Sequence, residues 1–296
     1  MAAPSRIGFV GTGKMGVPMI ARLIGAGIQV QAYDVNADAL AACQQETGCD
    51  TVDSLAAVSE GVDTVITMLP TGAIVRKVVL GDGSDGIANT LAAGSYIIDM
   101  SSSAPWETEQ LAHDLSARNI TLVDAPVSGG VKRALDGSLA VFIGGSDEAF
   151  ARVSPLLEPI GKHLFHAGGT AAGHTTKALN NILSATTVAI STEVVRIAEA
   201  SGLNPETFVD IVNASTGVSN ATLNKMKQFV LSGSYGSGFT LGLMQKDVGI
   251  ARELADRSKL DVPVAFHVAD MWRQALEELG GDVDHTAYDK IITPRD

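Results

Sequence analysis

The chain has 296 residues, with 33 acidic and 21 basic side chains, a formal charge of 21 − 33 = −12 at pH 7. Hydrophobic residues make up 46% and charged residues 18%, which excludes an intrinsically disordered chain and leaves room for a sizeable core in about two domains. The acidic balance excludes nucleic acid as the main partner, because binding phosphates requires a basic surface, but a small anionic ligand can still be held by a local site.

The first half alternates two kinds of segment. Short apolar or β-branched runs predict strands at 6–10, 29–33, 64–69, 95–99, 121–124 and 139–143. Helical patterns lie between them at 14–26, 37–46, 72–80, 104–118 and 147–158. Strand alternating with helix implies parallel pairing, since parallel strands need a crossover. The predicted fold class is α/β, with a doubly wound Rossmann-type sheet over residues 1–167. The character changes near His166-Ala167-Gly168-Gly169. Residues 172–200 read as one long helix with few charges before Glu193, buried on most faces. Further helices are expected at 205–215, 219–231, 240–258 and 262–280, with Pro205 and Pro263 in first turns. Residues 168–296 are therefore expected to form an all-helical domain.

Residues 11–16 read Gly11-Thr12-Gly13-Lys14-Met15-Gly16, a G-x-G-x-x-G between a predicted strand and a predicted helix. Gly11 permits a tight turn, Gly13 lets the backbone approach a pyrophosphate, and Gly16 lets helix pack on strand. The helix N-terminus then offers N–H groups and a positive dipole end to phosphates. Asp34 ends the next strand roughly twenty residues on, where an acid binds ribose hydroxyls. A carboxylate there repels a 2′-phosphate, and Val35 and Asn36 supply no arginine, so NAD is favoured over NADP.

Cys43 and Cys49 are too few for a disulfide framework and lack metal-ligand spacing; reduced thiols are expected. No His, Asp or Glu cluster has metal-binding spacing, so no metal is predicted. No signal segment is evident: the apolar run at 7–10 leads straight into glycines. The most apolar stretch, 182–190, is interrupted by Ser184, Thr186 and Thr187 and falls well short of the ~20 residues that span a bilayer. A cytoplasmic protein without membrane contact is expected. A G-x-S-x-G nucleophile elbow and a Walker-type loop are both absent.

Several motifs in order resemble the β-hydroxyacid dehydrogenase family, which includes 3-hydroxyisobutyrate dehydrogenases and tartronate semialdehyde reductases. They are the glycine motif at 11–16, Leu69-Pro70, Asp99-Met100-Ser101-Ser102 and Asp124-Ala125-Pro126-Val127-Ser128-Gly129-Gly130. Gly173-His174-Thr175-Thr176-Lys177-Ala178-Leu179-Asn180-Asn181 and Lys246-Asp247 follow. The resemblance covers nearly the whole chain. It implies Lys177 as the catalytic lysine and Asn181 as substrate-binding; neighbouring Asn180, about 100° away around the helix, is a further substrate-binding candidate that could equally be a helix-contact residue. It also implies a carboxylate-holding segment at Ser128, Gly129 and Gly130, and a cofactor lining from Leu69, Pro70, Ser102 and Lys246. Ser102 stands where threonine is common in the family and keeps the hydroxyl.

The chemistry suits these residues. Lys177 and Asn181 are four apart and share a helix face. A lysine entering an uncharged helix must be paired or have its pKa lowered. As ammonium it can protonate a carbonyl oxygen; as amine it can take a proton from an alcohol. Glycines at 129 and 130 expose backbone N–H groups, and Ser128 adds a hydroxyl, a suitable cradle for a carboxylate. Lys246 is expected to reach the cofactor or the adjacent Asp247. His174 could share the Lys177 face but is expected at the surface or a hinge.

The expected activity is NAD-dependent interconversion of a short 3-hydroxy acid with its semialdehyde or keto acid, in a cleft between the domains. The alternatives are a reductase of a sulfonated or polyhydroxylated acid, an imine reductase, against which Lys177 argues, and a non-catalytic dinucleotide-binding module. Residues 216–222 are expected to face the variable end of the substrate. The apolar helical domain and the resemblance imply a homodimer or homotetramer.

Overall fold

The computed structural model describes residues 5–82 and 85–292. The chain divides into two compact units, Met1–Lys177 and Ala178–Asp296.

In the first unit the strands are β1 (Arg6–Val10), β2 (Gln29–Tyr33), β3 (Asp50–Thr51), β4 (Thr64–Thr67), β5 (Tyr96–Asp99), β6 (Thr121–Asp124), β7 (Val127–Ser128), β8 (Leu139–Gly144) and β9 (Gly161–Gly168). The helices between them are α1 (Gly16–Gly25), α2 (Ala37–Thr47), α3 (Leu55–Ser59), α4 (Gly72–Leu80), α5 (Pro105–Ser116), α6 (Gly130–Asp136) and α7 (Asp147–Leu157). The strand order is β3-β2-β1-β4-β5-β6-β8-β7, with β9 beside β8. Successive residues of a strand point to opposite faces, and this strand core shows it. Ile7, Phe9, Ile66, Ile98 and Val123 enter one buried cluster. Val10, Val65, Ile97 and Leu122 enter another. Both faces are therefore covered, as a doubly wound sheet requires. Polar side chains set several helix starts: Asn36 accepts from Asp38 N and Ala39 N, Thr71 from Ile74 N, and Ser146 from Ala149 N.

The all-parallel expectation fails on one side. From β3 to β6 every pair is parallel, but β8 runs antiparallel to β6 and β7. The connecting helix α6 has only 7 residues. At ~1.5 Å per residue it is too short to carry the chain back along the sheet for a parallel crossover. The sequence also missed β9, whose residues are mostly exposed or half-buried and include two histidines. Strand signals end near residue 167, yet the first unit runs on to Lys177. It does so because the first turn of the next helix, α8 (Ala172–Ala200), is bonded to the sheet.

The second unit continues α8 and adds α9 (Pro205–Asn213), α10 (Leu241–Ser258) and α11 (Pro263–Leu279). Its core gathers Ala185, Val188, Val209, Met226, Leu241, Met244 and the fully buried Trp272. The segment Thr222–Leu231, expected as an ordinary helix, is a π-helix. Apolar spacing announces a helix there but does not fix its hydrogen-bond register. The final 3₁₀ segment, His285–Ile291, is tied down by two carboxylates. Asp289 takes Arg196 in two bonds, at 2.7 and 2.5 Å, and the Tyr235 hydroxyl at 2.9 Å. Asp284 takes Ser237, Gly238 N and Thr286 N.

His285 lies buried between these anchors and faces Trp272 and Phe239. Its Nδ1 is 3.0 Å from the Phe239 carbonyl, which can only accept, so Nδ1 carries the hydrogen. Nε2 then accepts from Lys225 Nζ at 2.7 Å. Burial, and then the Lys225 charge, push the His285 pKa from 6.5 down to about 4. Above pH 6.5 the ring is neutral in folded and unfolded chains alike. Between 6.5 and about 4 only the unfolded chain takes up this proton, so stability falls as pH falls through that window. The thermal midpoint of the wild type should drop across it, and His285→Gln, which cannot titrate, should show a shallower drop.

Candidate active site

The glycine loop between β1 and α1 is shaped by close approach. Gly11 has φ +106°, and a Cβ there would lie 2.2 Å from Met68 O. A Cβ on Gly16 would lie 1.9 Å from Gly11 O. Gly13 differs: nothing lies within 4 Å of its would-be Cβ, and the residue is exposed. The start of α1 has no side-chain cap and no acidic residue in its first turn. Open backbone beside an uncapped helix start fits a pyrophosphate. Lys14 is exposed and Met15 half-buried.

Asp34 stands at the end of β2, facing this loop. Its Oδ2 accepts from Thr12 N at 2.7 Å and Thr12 Oγ1 at 3.1 Å, and its Oδ1 accepts from Asn36 N at 2.9 Å. A carboxylate has about four acceptor sites, so capacity for ribose hydroxyls remains. These residues fit a dinucleotide. Leu69 is half-buried and Pro70 exposed past the end of β4, and Leu69 N donates to Ser101 Oγ at 2.9 Å. Ser102, the next residue, is half-buried.

Behind these loops lies a buried polar network that sequence reasoning missed. Asp99, at the end of β5, accepts from Thr67 Oγ1, Ser101 N and Ser103 Oγ at 2.9, 3.0 and 2.9 Å. Asp124, at the end of β6, is fully buried and accepts from Ala171 N at 2.8 Å and His174 N at 2.9 Å. It thereby caps the start of α8, where negative charge is favoured. His174 was expected at the surface or a hinge; it is instead 1% exposed. Its Nε2 lies 3.2 Å from the Ser101 carbonyl and 3.7 Å from Asp99; its Nδ1 lies 2.7 Å from Thr108 Oγ1 and 3.9 Å from Asp124. The bonds from Asp124 pull the first turn of α8 onto the sheet and bury the ring. The only advance signal was an aspartate at the end of each of two apolar strands, and it carried no indication of its partner.

Lys177 follows His174 by one turn. Its Nζ donates to Val127 O at 2.8 Å. That carbonyl precedes Ser128, Gly129 and Gly130, so the lysine lies at the edge of the proposed carboxylate cradle. Gly129 has φ +136° and Gly130 φ +66°, conformations that side chains resist. In the second unit, Asn180 Nδ2 donates to Asn181 Oδ1 at 3.1 Å, and Asn181 Nδ2 donates to Asp247 Oδ2 at 2.5 Å. Lys246 Nζ lies 2.9 Å from Asp247 Oδ1. Asp247 thus joins three of the singled-out residues into one chain. Among the described residues, no group of three or more His, Cys, Asp or Glu side chains is placed to hold a metal ion.

A glycine-loop Rossmann unit and a helical unit, with a lysine held at the Val127 carbonyl beside the glycine pair 129–130, define an NAD-dependent dehydrogenase architecture. Residues 6–169 match the NAD-binding domain of 6-phosphogluconate dehydrogenase, and residues 171–292 match the domain described as NAD-binding of NADP-dependent 3-hydroxyisobutyrate dehydrogenase. The chain is 37% identical to 2-(hydroxymethyl)glutarate dehydrogenase of Eubacterium barkeri, over 97% of this chain and 94% of that protein. It is 35% identical to 3-hydroxyisobutyrate dehydrogenase of Pseudomonas aeruginosa, over 98% and 99%. The structure of the Mycobacterium tuberculosis 3-hydroxyisobutyrate dehydrogenase with L-serine superimposes with a TM-score of 0.88 at 28% identity, covering 98% of this chain and 99% of that one. The chain belongs to the β-hydroxyacid dehydrogenase family.

The two ends of the glycine motif should respond differently to the same methyl group. Gly16→Ala should lower the thermal midpoint or prevent folding, since its Cβ meets a backbone oxygen. Gly13→Ala should fold normally yet weaken NADH binding by roughly tenfold or more, about 1.4 kcal/mol, in a fluorescence titration. His174→Ala should destabilise the protein by ~3 kcal/mol in a denaturant melt, from a cavity plus unpaired acceptors.

Proposed function

We propose that this protein is an NAD-dependent dehydrogenase that interconverts a short 3-hydroxy acid and its semialdehyde or keto acid, with Lys177 handling the proton. The observation that carries the proposal is the hydrogen bond from Lys177 Nζ to Val127 O, which holds the amine beside Ser128, Gly129 and Gly130. NAD, when bound, accepts or supplies the hydride. The chain's own part is to bind, orient and move one proton. Backbone N–H groups at 129 and 130 and the Ser128 hydroxyl hold the substrate's carboxylate. Lys177 as ammonium protonates the carbonyl oxygen in reduction and as amine takes the alcohol proton in oxidation. Asn181, with its amide oriented by Asp247, and Asn180 bind substrate. Thr12, Lys14, Met15 and the three motif glycines hold the dinucleotide, lined by Leu69, Pro70, Ser102 and Lys246. The Asp34 carboxylate, already facing the loop, supports NAD over NADP.

The relatives' names share a chemistry. Hydroxymethylglutarate, hydroxyisobutyrate and the serine of an NAD-dependent L-serine dehydrogenase from Pseudomonas aeruginosa each carry a hydroxymethyl group on the carbon that bears the carboxylate. A 3-sulfolactaldehyde reductase of Escherichia coli, 31% identical, marks the sulfonated alternative. We assign this chain the 2-substituted 3-hydroxypropanoates.

Self-association through α8 is part of the same reading. Leu183, Ile190 and Ile197 repeat every seven residues along it and stay 69, 50 and 63% exposed. Among the described residues no helix is long and apolar enough to cross a membrane. The buried thiols of Cys43 and Cys49, 3.8 Å apart, support a reducing, cytoplasmic setting.

NADH formation with a panel of 3-hydroxy acids tests the activity. One or more acids should react, with NAD preferred to NADP. Lys177→Ala should lower kcat by on the order of 10²–10⁴-fold while NADH still binds. Lys177→Arg should shift the pH–rate profile; an unchanged profile would remove Lys177 from the proton transfer. Silence across the panel with NADH binding intact would overturn the substrate class.

A further inference from the structure

Arg133 lies on α6, five residues past Ser128, and its side chain is laid across the loop. A Cβ built on Gly129 would meet Arg133 Cδ, Cβ and Cγ at 2.5, 2.8 and 3.0 Å. The arginine's aliphatic stem therefore occupies the space that a side chain at 129 would fill. It packs against the backbone proposed to hold the substrate's carboxylate. The carbonyl that takes Lys177 Nζ lies two residues away at Val127.

The guanidinium at the end of this stem has no hydrogen bond or ion pair among the described residues. The other described arginines each hold an oxygen, as Arg76 holds Asp114 and Arg22 holds the Pro159 carbonyl. Asp136, the acid on the same helix, accepts from Ser138 N at 2.9 Å, and Arg133 acts on it only as a nearby charge, without a hydrogen bond or ion pair. Among the described residues, a chain of net charge −12 thus leaves one arginine without a hydrogen bond or ion pair, beside its proposed substrate loop. A planar guanidinium matches a carboxylate or sulfonate with paired N–H donors, a geometry that an ammonium lacks.

We infer that Arg133 binds a second acidic group of the substrate, so that the preferred substrates are dianions: 3-hydroxy acids whose C2 substituent ends in a carboxylate or another acid. This rests on the activity proposed above. The carboxylate common to all 3-hydroxy acids goes to Ser128, Gly129 and Gly130. Arg133 reads the group that distinguishes one acid from another. Lys132, the preceding residue, points about 100° away around α6 and takes no part.

The test compares kcat/KM for 2-(hydroxymethyl)glutarate, a dianion, with that for 3-hydroxyisobutyrate, a monoanion, in the full-length protein with NAD. The wild type should favour the dianion. Arg133→Ala should cut kcat/KM for the dianion by about 10–100-fold, the range of a lost charge-assisted hydrogen bond, and for the monoanion by less than about threefold. Lys132→Ala should leave both values unchanged, which separates a specific contact from general charge steering. Unchanged NADH affinity in Arg133→Ala confirms an intact fold. Equal losses on both acids would show that Arg133 serves the shared carboxylate or the loop itself and would overturn the inference. So would a wild type that prefers the monoanion, or a dianion rate indifferent to Arg133. Turnover of the monoanion alone overturns this inference but leaves the proposed activity standing; turnover of neither acid, with NADH still bound, overturns both.

Discussion

The buried carboxylate of Asp124 is the interaction on which the first unit's site depends. It sits at the end of β6 with no solvent contact, so each of its oxygens needs a partner. Two backbone N–H groups from the start of α8 supply them. The fit leaves no slack: a Cβ on Gly144 would lie 2.4 Å from Asp124 Oδ1, and one on Gly173 would lie 2.8 Å from Asp124 Oδ2 and 2.2 Å from Phe142 O. Glycine at both positions lets a helix end approach a sheet edge closely enough to be capped by it. The same contact fixes where the helix begins, and hence where a lysine one turn later can reach.

His174 spreads that constraint. It joins the Ser101 carbonyl, the Thr108 hydroxyl and the start of α8. Ser101 in turn holds Leu69 N. The loops past β4 and β5 are proposed to line the dinucleotide, and the helix carries the proposed proton donor. One chain of hydrogen bonds therefore ties those loops to the start of that helix. Such a network specifies geometry as long as every member is satisfied, and loses it when one is removed. The second unit uses the same device in other places. Asp247 orders Asn181, and Asp289 and Asp284 pin the final 3₁₀ segment through Arg196, Tyr235 and Ser237.

The distribution of charge follows the same division of labour. Most surface arginines pair with nearby acids, contacts worth little individually but enough to quiet the surface. Among the described residues, Arg133 is the arginine left without such a bond, and it packs from α6 over Gly129, in the loop proposed to hold the substrate. Specificity in a family with one shared reaction depends on such positions, where a single side chain meets the part of the substrate that varies.

Local features of the sequence determined a good deal. Alternating apolar runs placed the strands from β1 to β8 apart from the two-residue β3 and β7, because a buried strand must be apolar on both faces. The spacing of Gly11, Gly13 and Gly16 marked the loop proposed to hold the dinucleotide; at Gly11 and Gly16 a Cβ would meet a backbone oxygen, and at Gly13 the backbone is left open. Four-residue spacing put Lys177 and Asn181 on one helix face. Contacts between distant residues were decided only in three dimensions. The sequence could not show that β8 turns antiparallel, which follows from the length of α6 against the sheet. It could not show that His174 is buried, because its partners lie 66 to 75 residues away at Asp99, Ser101 and Thr108. Nor could it show that Arg133 folds back over Gly129. Periodicity records which side chains avoid water; which polar groups meet depends on how the elements pack.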